Sequence, residues 1–111
     1  MTLSSSNGFV YATDLLVELP DIPADSILNR TLYDDEQVRV ILFGFAAGQE
    51  LSEHTASMVA ILHFLEGEAD VTLGQEERVV RPGTWVMMQP NLPHSIHART
   101  RVVMLLTMIK G

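Results

Sequence analysis

The sequence predicts an all-β fold, an antiparallel sandwich or barrel, in a chain of 111 residues. Three observations carry this prediction. Short segments rich in β-branched and aromatic residues recur along the chain. Turn-forming residues, chiefly glycine, proline and aspartate, separate these segments at intervals of roughly eight to twelve residues. The length allows one hydrophobic core, and 47% of the residues are hydrophobic, which is enough to fill it.

The first two predicted strands cover residues 26–33 and 37–46, with an acidic turn between them. The second is rich in valine, isoleucine and phenylalanine, and the chain turns after it at Gly48. Before these strands the sequence offers short helical turns, which Pro20 and Pro23 interrupt. We therefore expect an N-terminal segment of short turns or a strand over residues 1–25 and a barrel domain over residues 26–111.

Five further strands are predicted, at residues 58–65, 69–73, 77–80, 84–89 and 102–109. Glycine lies in the turn that ends each of the first three, at Gly67, Gly74 and Gly83. The prolines of the loop 90–93, Pro-Asn-Leu-Pro, make the approach to His94 rigid.

The composition excludes several classes of function. No cysteine is present, so the chain has no disulfide, thiolate zinc site or cysteine nucleophile. The net charge is −7 and the 7 lysines and arginines are scattered, which leaves no basic face for nucleic acid. The longest apolar run, 102–109, is too short to span a membrane, and residues 1–8 lack the features of a secretory signal. We therefore expect a cytoplasmic protein that binds neither nucleic acid nor membranes.

Several predicted strands are apolar on both faces, which predicts a protein partner. In the segments 58–65 and 84–89, both sets of alternating side chains are largely apolar. One face can fill the interior of a barrel, and the other must be covered by something other than water. In a chain of this size, we expect that cover to be a second copy, in a homodimer packed through one sheet face.

Two histidines follow glycines at fixed spacings. The first segment reads Gly48-x5-His54 and continues to Gly67, and the second reads Gly83-x10-His94. These frames resemble the two motifs of the cupin superfamily, G-x5-H-x-H-x(3,4)-E-x6-G and G-x5-P-x-G-x2-H-x3-N, in the anchor glycines Gly48, Gly67 and Gly83 and in the first and last histidines. The proline, inner glycine and asparagine of the second motif are Gln89, Asn91 and Ala98 here. The chain is most similar to the small single-domain cupins.

The resemblance implies a double-stranded β-helix, also called a jelly-roll barrel, whose mouth often holds a divalent metal. The metal-ligating histidines of the two motifs map to His54 and His94. The positions of the middle histidine and the carboxylate hold Ala56 and Ala60, so two protein ligands are missing. A divalent transition metal, Mn, Fe, Ni, Cu or Zn, is therefore expected at low occupancy. The third and fourth ligands stay open. Gln49, Glu50 and Glu53 lie nearby, and strand alternation counts against Glu53, which should point opposite to His54.

The two alanines also predict a mostly apolar pocket, because they remove polar bulk from its wall. Strand alternation places further apolar side chains on the same inward face as His54 and His94. The expected pocket lining is Ala56, Met58, Ala60, Leu62, Phe64, Val86 and Met88. Such a pocket suits a small hydrophobic or aromatic molecule. His63 and His97 lie out of phase with the motif histidines and are expected on the surface or at the dimer interface.

Three functions are compatible with this pattern. The favoured interpretation is a module that binds a small molecule in a pocket with two histidines, with or without a weakly held metal. The alternative is a metal-dependent enzyme, such as an oxygenase, isomerase or decarboxylase of a small carbon compound, in which a histidine could also act as general base. The third is a structural dimer with a vestigial pocket. Which ligand is bound, and whether any reaction is catalysed, stay open at the level of sequence.

Overall fold

Residues 8–111, the part of the chain that the computed structural model describes, form nine β-strands: β1 (Ile27–Asp34), β2 (Val38–Phe45), β3 (Glu50–His54), β4 (Val59–Glu66), β5 (Ala69–Leu73), β6 (Glu76–Val80), β7 (Trp85–Met88), β8 (His94–Ala98) and β9 (Val102–Ile109). Sheet A has the order β1-β2-β9-β4-β7 and sheet B the order β3-β8-β5-β6. All strand pairs are antiparallel. The all-β jelly-roll prediction is therefore confirmed. No helix in the described residues is long and apolar enough to cross a membrane.

Two strands, β3 and β8, were not predicted as strands from the sequence. β3 reads Glu-Leu-Ser-Glu-His and β8 reads His-Ser-Ile-His-Ala, so each is short and largely polar. Leu51 is the one large apolar residue of β3, which leaves too little alternation to recognise. β3 pairs with β8, and β8 also pairs with β5, so both strands depend on contacts between segments that are distant in sequence.

The hydrophobic core lies between the two sheets and follows strand alternation. In β4, Ala60, Leu62 and Phe64 are buried, whereas His63 is exposed on the opposite face. Both sheets contribute to one buried cluster, which consists of Phe45, Ala60, Leu62, Phe64, Ala69, Val71, Val80, Met88, Ile96, Ala98, Val102 and Met104.

The three motif glycines all have a positive φ, at 85° for Gly48, 86° for Gly67 and 96° for Gly83. This backbone region is accessible to glycine at little cost and disfavours other residues. At Gly67 the requirement is also steric, because an added Cβ would lie 1.8 Å from the carbonyl oxygen of Arg101. The glycine spacing of the two motifs therefore marks turns whose backbone conformation favours glycine.

The N-terminal segment covers half of the outer face of sheet A. It contains a 3-10 helix at Leu15–Glu18, and the following Leu19 is buried against Leu32, Leu42 and Val103. Gly44 provides the space for this contact, because a Cβ there would lie 2.5 Å from Ile22 Cδ1. Part of the apolar outer face is thus covered within the chain, which the sequence prediction of a partner did not include.

Two arginines fix this segment to the sheet. Arg101 donates to the carbonyl oxygens of Leu19 and Pro20 and to the Glu66 carboxylate. Arg30 Nη1 lies 3.0 Å from both the carbonyl oxygen and the carboxylate of Glu18. Backbone carbonyls that follow the helix are satisfied in this way, so the segment is anchored by polar as well as apolar contacts.

The other half of the outer face of sheet A, on β4, β7 and the end of β9, remains exposed. Trp85 is 59% exposed, Met87 50% and Ile109 43%. We call this surface the bare half of sheet A. The outer face of sheet B is largely polar by contrast: its central side chains are Asp70, Thr72, Ser95 and His97, and Val79 is its exposed apolar residue.

Replacing Gly44 with alanine is expected to lower the free energy of unfolding by about 1–3 kcal/mol, because the new Cβ overlaps Ile22 and Leu19. In an Ile22→Ala background the same substitution should cost less, since the closest atoms are gone. Urea unfolding of the four proteins in this double-mutant cycle measures the coupling. Additive effects would show that the segment does not pack over Gly44.

Candidate site at the barrel mouth

His54 and His94 come together at one end of sheet B. They are Cα partners across β3 and β8, after a register shift between Leu51 and His54. Their ring centroids are 4.2 Å apart and the rings are tilted by 56°. The structure therefore brings the two predicted metal ligands to one place, although they are distant in sequence.

Both imidazoles are held in the same way. Nδ1 of His54 lies 2.9 Å from the carbonyl oxygen of Ser52, and Nδ1 of His94 lies 2.9 Å from that of Leu92. A carbonyl only accepts hydrogen bonds, so in each ring Nδ1 carries the proton and donates. In the neutral ring, Nε2 then keeps a free lone pair. Both side chains are thus prepared as acceptors or metal ligands.

The two histidines differ in burial. His94 is 6% exposed, whereas His54 is exposed. Burial lowers the pKa of His94 below 6.5, because the charged form loses solvation, and the nearby His54 lowers it further. The hydrogen bond to the Leu92 carbonyl acts in the opposite direction and is outweighed. His94 is therefore neutral at physiological pH, as a metal ligand or general base must be.

The connections around the pair are tied together by backbone hydrogen bonds. The amide of Asn91 donates to the carbonyl of Ala56 at 2.7 Å, and the amide of Gly74 donates to that of Pro93 at 2.8 Å. Asn91 adopts a φ of 69°, which asparagine tolerates better than most residues. We call this end of the barrel, around His54, Ala56, Asn91 and His94, the mouth.

The positions of the missing ligands differ from each other. Ala56 is half-buried at the mouth, whereas Ala60 is 2% exposed and is the Cα partner of the buried Met88. Glu50 faces His97 across β3 and β8, on the outer side of sheet B, and Glu53 is exposed. Among the described residues, no group of three or more histidine, cysteine, aspartate or glutamate side chains could hold a metal ion. The imidazoles of His54 and His94 are the donor set.

Most of the residues predicted to line a pocket are buried in the core and do not face an open cavity. Ala60, Leu62, Phe64 and Met88 belong to the packed core between the sheets. Val86 is partly buried against that core, and Met58 and Ala56 are half-buried. Of the predicted lining, only Ala56, Met58 and Val86 therefore keep partial exposure, and the other four side chains fill the core.

A groove that the sequence did not predict lies away from the mouth, between the N-terminal segment and the outer face of sheet A. Its volume is about 340 Å³. Its lining is Val10, Ala12, Leu15, Leu32, Tyr33, Val40 and Leu105. The groove depends on how the segment crosses the sheet, and the signal that could have indicated this is the apolar series Leu15, Leu16, Leu19 and Ile22.

The other two histidines lie away from the mouth. His63 is exposed on the bare half of sheet A, opposite Trp85. His97 is exposed on the outer face of sheet B, with Nδ1 4.0 Å from the Asp70 carboxylate. Arg99 binds the same carboxylate through two nitrogens and lowers the pKa of Asp70, so this cluster is a charge-paired surface.

A family model described as "Cupin domain" matches residues 41–110 of this chain. Among solved structures, a conserved protein of unknown function from Streptococcus pyogenes is 28% identical, with 100% of this chain and 96% of that chain covered and a TM-score of 0.83. A cupin superfamily protein from Desulfitobacterium hafniense is 25% identical, with 86% and 88% covered and a TM-score of 0.81. An RmlC-like cupin from Shewanella frigidimarina, 19% identical over 82% and 81% with a TM-score of 0.74, shares the fold. No curated protein matches this chain.

The lowered pKa of His94 predicts a pH dependence of stability. The unfolded chain binds this proton more readily than the folded one, so the free energy of unfolding falls as pH decreases from about 6.5 towards the folded pKa. In chelator-treated protein, His94→Gln should lose less stability over this range than the parent. His63→Gln is the control and should follow the parent. Parallel curves for all three proteins would contradict a neutral, buried His94.

Proposed function

Because the chain belongs to the cupin family, we propose that it binds a small molecule at the barrel mouth, where it can also hold a divalent transition metal weakly. The observation that carries this proposal is the His54–His94 pair, whose centroids are 4.2 Å apart and whose Nε2 atoms are free. The half-buried Ala56 and Met58, which follow His54 in the sequence, favour a small molecule with a hydrophobic or aromatic body.

The two imidazoles suit the metals named from the sequence, Mn, Fe, Ni, Cu or Zn. A histidine ligand bonds its metal at about 2.0–2.1 Å, which places the ring centroid roughly 3 Å from the ion. Two rings that share one ion therefore have centroids no more than roughly 6 Å apart. The observed 4.2 Å satisfies this limit. A bound metal would supply Lewis acidity at the mouth, and the remaining coordination positions would fall to water or to the ligand.

Restoring the missing ligands should strengthen metal binding. Ala56→His adds an imidazole at the half-buried rim, and a further Ala60→Glu adds a carboxylate at the family's spacing. In a calorimetric titration with Ni²⁺, the double variant should bind at least about tenfold more tightly than the parent. Without metal it should be less stable, because Ala60 is buried and an unpaired carboxylate there is unfavourable.

Ser57→His is the matched control for the added imidazole, since Ser57 is exposed beside Ala56. It should bind Ni²⁺ as the parent does. Equal affinity in the parent and the double variant would mean that the pair does not assemble a site, or that other groups already complete it.

A metal-dependent enzyme is the second candidate, and the neutral, buried His94 is the observation that favours it. Such a group can serve as a general base beside a metal that polarises the substrate. Metal analysis of protein purified without a histidine tag separates the two candidates. About one equivalent per chain would favour the enzyme, and a small fraction of one would favour the binding module.

We also propose that a second copy of the chain covers the bare half of sheet A. Trp85 and Met87 are large, apolar and at least half exposed there, and His63 opposite Trp85 is a neighbouring polar residue. The polar outer face of sheet B offers no comparable surface. A homodimer through the bare half would remove this apolar area from water.

Trp85→Glu should dissociate that dimer, because a charge in place of a central tryptophan weakens association by about 2–4 kcal/mol. Light scattering across a concentration series measures the mass of the parent and the variant. Thr72→Glu, on the outer face of sheet B, is the control and should leave the mass unchanged. A monomeric parent at high micromolar concentration would refute the dimer.

A further inference from the structure

The mouth presents hydrogen-bond acceptors on both histidines and no imidazole donor. Each Nδ1–H is committed to a carbonyl of its own strand or loop, at 2.9 Å from Ser52 in one ring and 2.9 Å from Leu92 in the other. The atom that remains for a ligand is Nε2 in both rings, and a neutral Nε2 only accepts. The two rings therefore offer the same polarity to a ligand.

No free cation compensates for this polarity. The chain has 7 lysines and arginines, all within the described residues. Six of them are paired with carboxylates, including Arg78, which binds Glu76. The seventh, Arg81, follows Val80 at the end of sheet B opposite to His94, since Val80 pairs in register with Ala69 and Ala98.

The residues that lie beside His94 across sheet B also provide no unpaired cation. Across sheet B, His94 pairs with Leu73 and Leu73 pairs with Glu76. The first neighbour is apolar, and the next is a carboxylate that Arg78 already pairs. An anionic ligand at the metal-free mouth would therefore meet two imidazole lone pairs and no unpaired cation along this row.

We propose that the metal-free mouth selects a neutral molecule with a hydroxyl donor on an apolar body, such as a phenol, over an anion of the same size. The hydroxyl donates to Nε2 of His54 or His94, and the apolar body lies against the half-buried side chains of Ala56 and Met58. This inference rests on the proposed function of the mouth and specifies the chemical class of its ligand.

Three aromatic probes of similar size test the proposal in chelator-treated, full-length protein at pH 8, by ligand-observed NMR titration. Phenol has the donor, anisole has the same ring and oxygen without the donor, and benzoate has an anionic group. Phenol should bind about tenfold more tightly than either, the ratio expected for a hydrogen bond to a partly buried acceptor. His54→Phe, at an exposed position, should reduce the preference for phenol over anisole, and His97→Phe on the outer face should not.

The outcomes separate this inference from the function on which it rests. Benzoate binding as tightly as phenol, or anisole matching phenol, would overturn the ligand class while small-molecule binding at the mouth stands. No binding of any probe, together with Ni²⁺ binding that depends on His54, would overturn the metal-free selection and leave the metal site. No binding of either the probes or Ni²⁺ would overturn the proposed function itself. Imidazole ¹⁵N shifts that place the proton on Nε2 would contradict the premise directly.

Discussion

The pairing of β3 with β8 is the interaction on which the candidate site depends. β3 is an edge strand of sheet B and is mostly exposed, so little hydrophobic burial holds it. Backbone hydrogen bonds extend the pairing at the Gly48 end, where the Gly48 amide donates to Ala98 at 2.8 Å and the Ala98 amide donates to Gln49 at 2.9 Å. The register of this ladder decides whether His54 faces His94 or the outer surface, because a slip by one residue reverses every side chain.

The two histidines are therefore positioned by different means. His94 follows a loop that is tied to Ala56 and Gly74, and its side chain is buried. His54 relies on the β3 ladder and on its own contact with Ser52. Local opening of an edge strand requires less free energy than opening of a buried one. A ligand or metal that bridges both rings would connect the edge strand to the buried strand and stabilise the pairing.

Much of the fold could be predicted from the sequence, because the large strands carry clear signals. β2, β4 and β9 are long and largely apolar, and the motif glycines occupy turns that need a positive φ. β3 and β8 could not be predicted as strands, because short polar segments have no clear apolar alternation. They become strands by pairing with segments that are distant in sequence. For the site, spacing sufficed to place His54 and His94 together.

The exposure of the site could not be predicted in the same way. Alternation correctly gives the inward direction of Leu62, Phe64 and Met88, but not whether the space they enter is open or filled. That depends on the volumes of side chains from both sheets, such as Ile96 and Met104. The sequence also did not predict that the N-terminal segment covers part of sheet A, because this depends on the path of the chain. Gly44, which leaves space for that segment, was a sequence signal that was not recognised.

The two alanines have consequences beyond the loss of metal ligands. A carboxylate at position 60 would be buried beside Met88 and would need a cation or several hydrogen bonds to remain there. With alanine, the same position joins the apolar core between the sheets. The polar chemistry of the mouth is thereby confined to His54 and His94 at its rim, and the stability of the barrel does not require any bound ion to neutralise a buried charge. The binding that we propose at the mouth would then not depend on the packing of the core, which is a condition for a reversible small-molecule site.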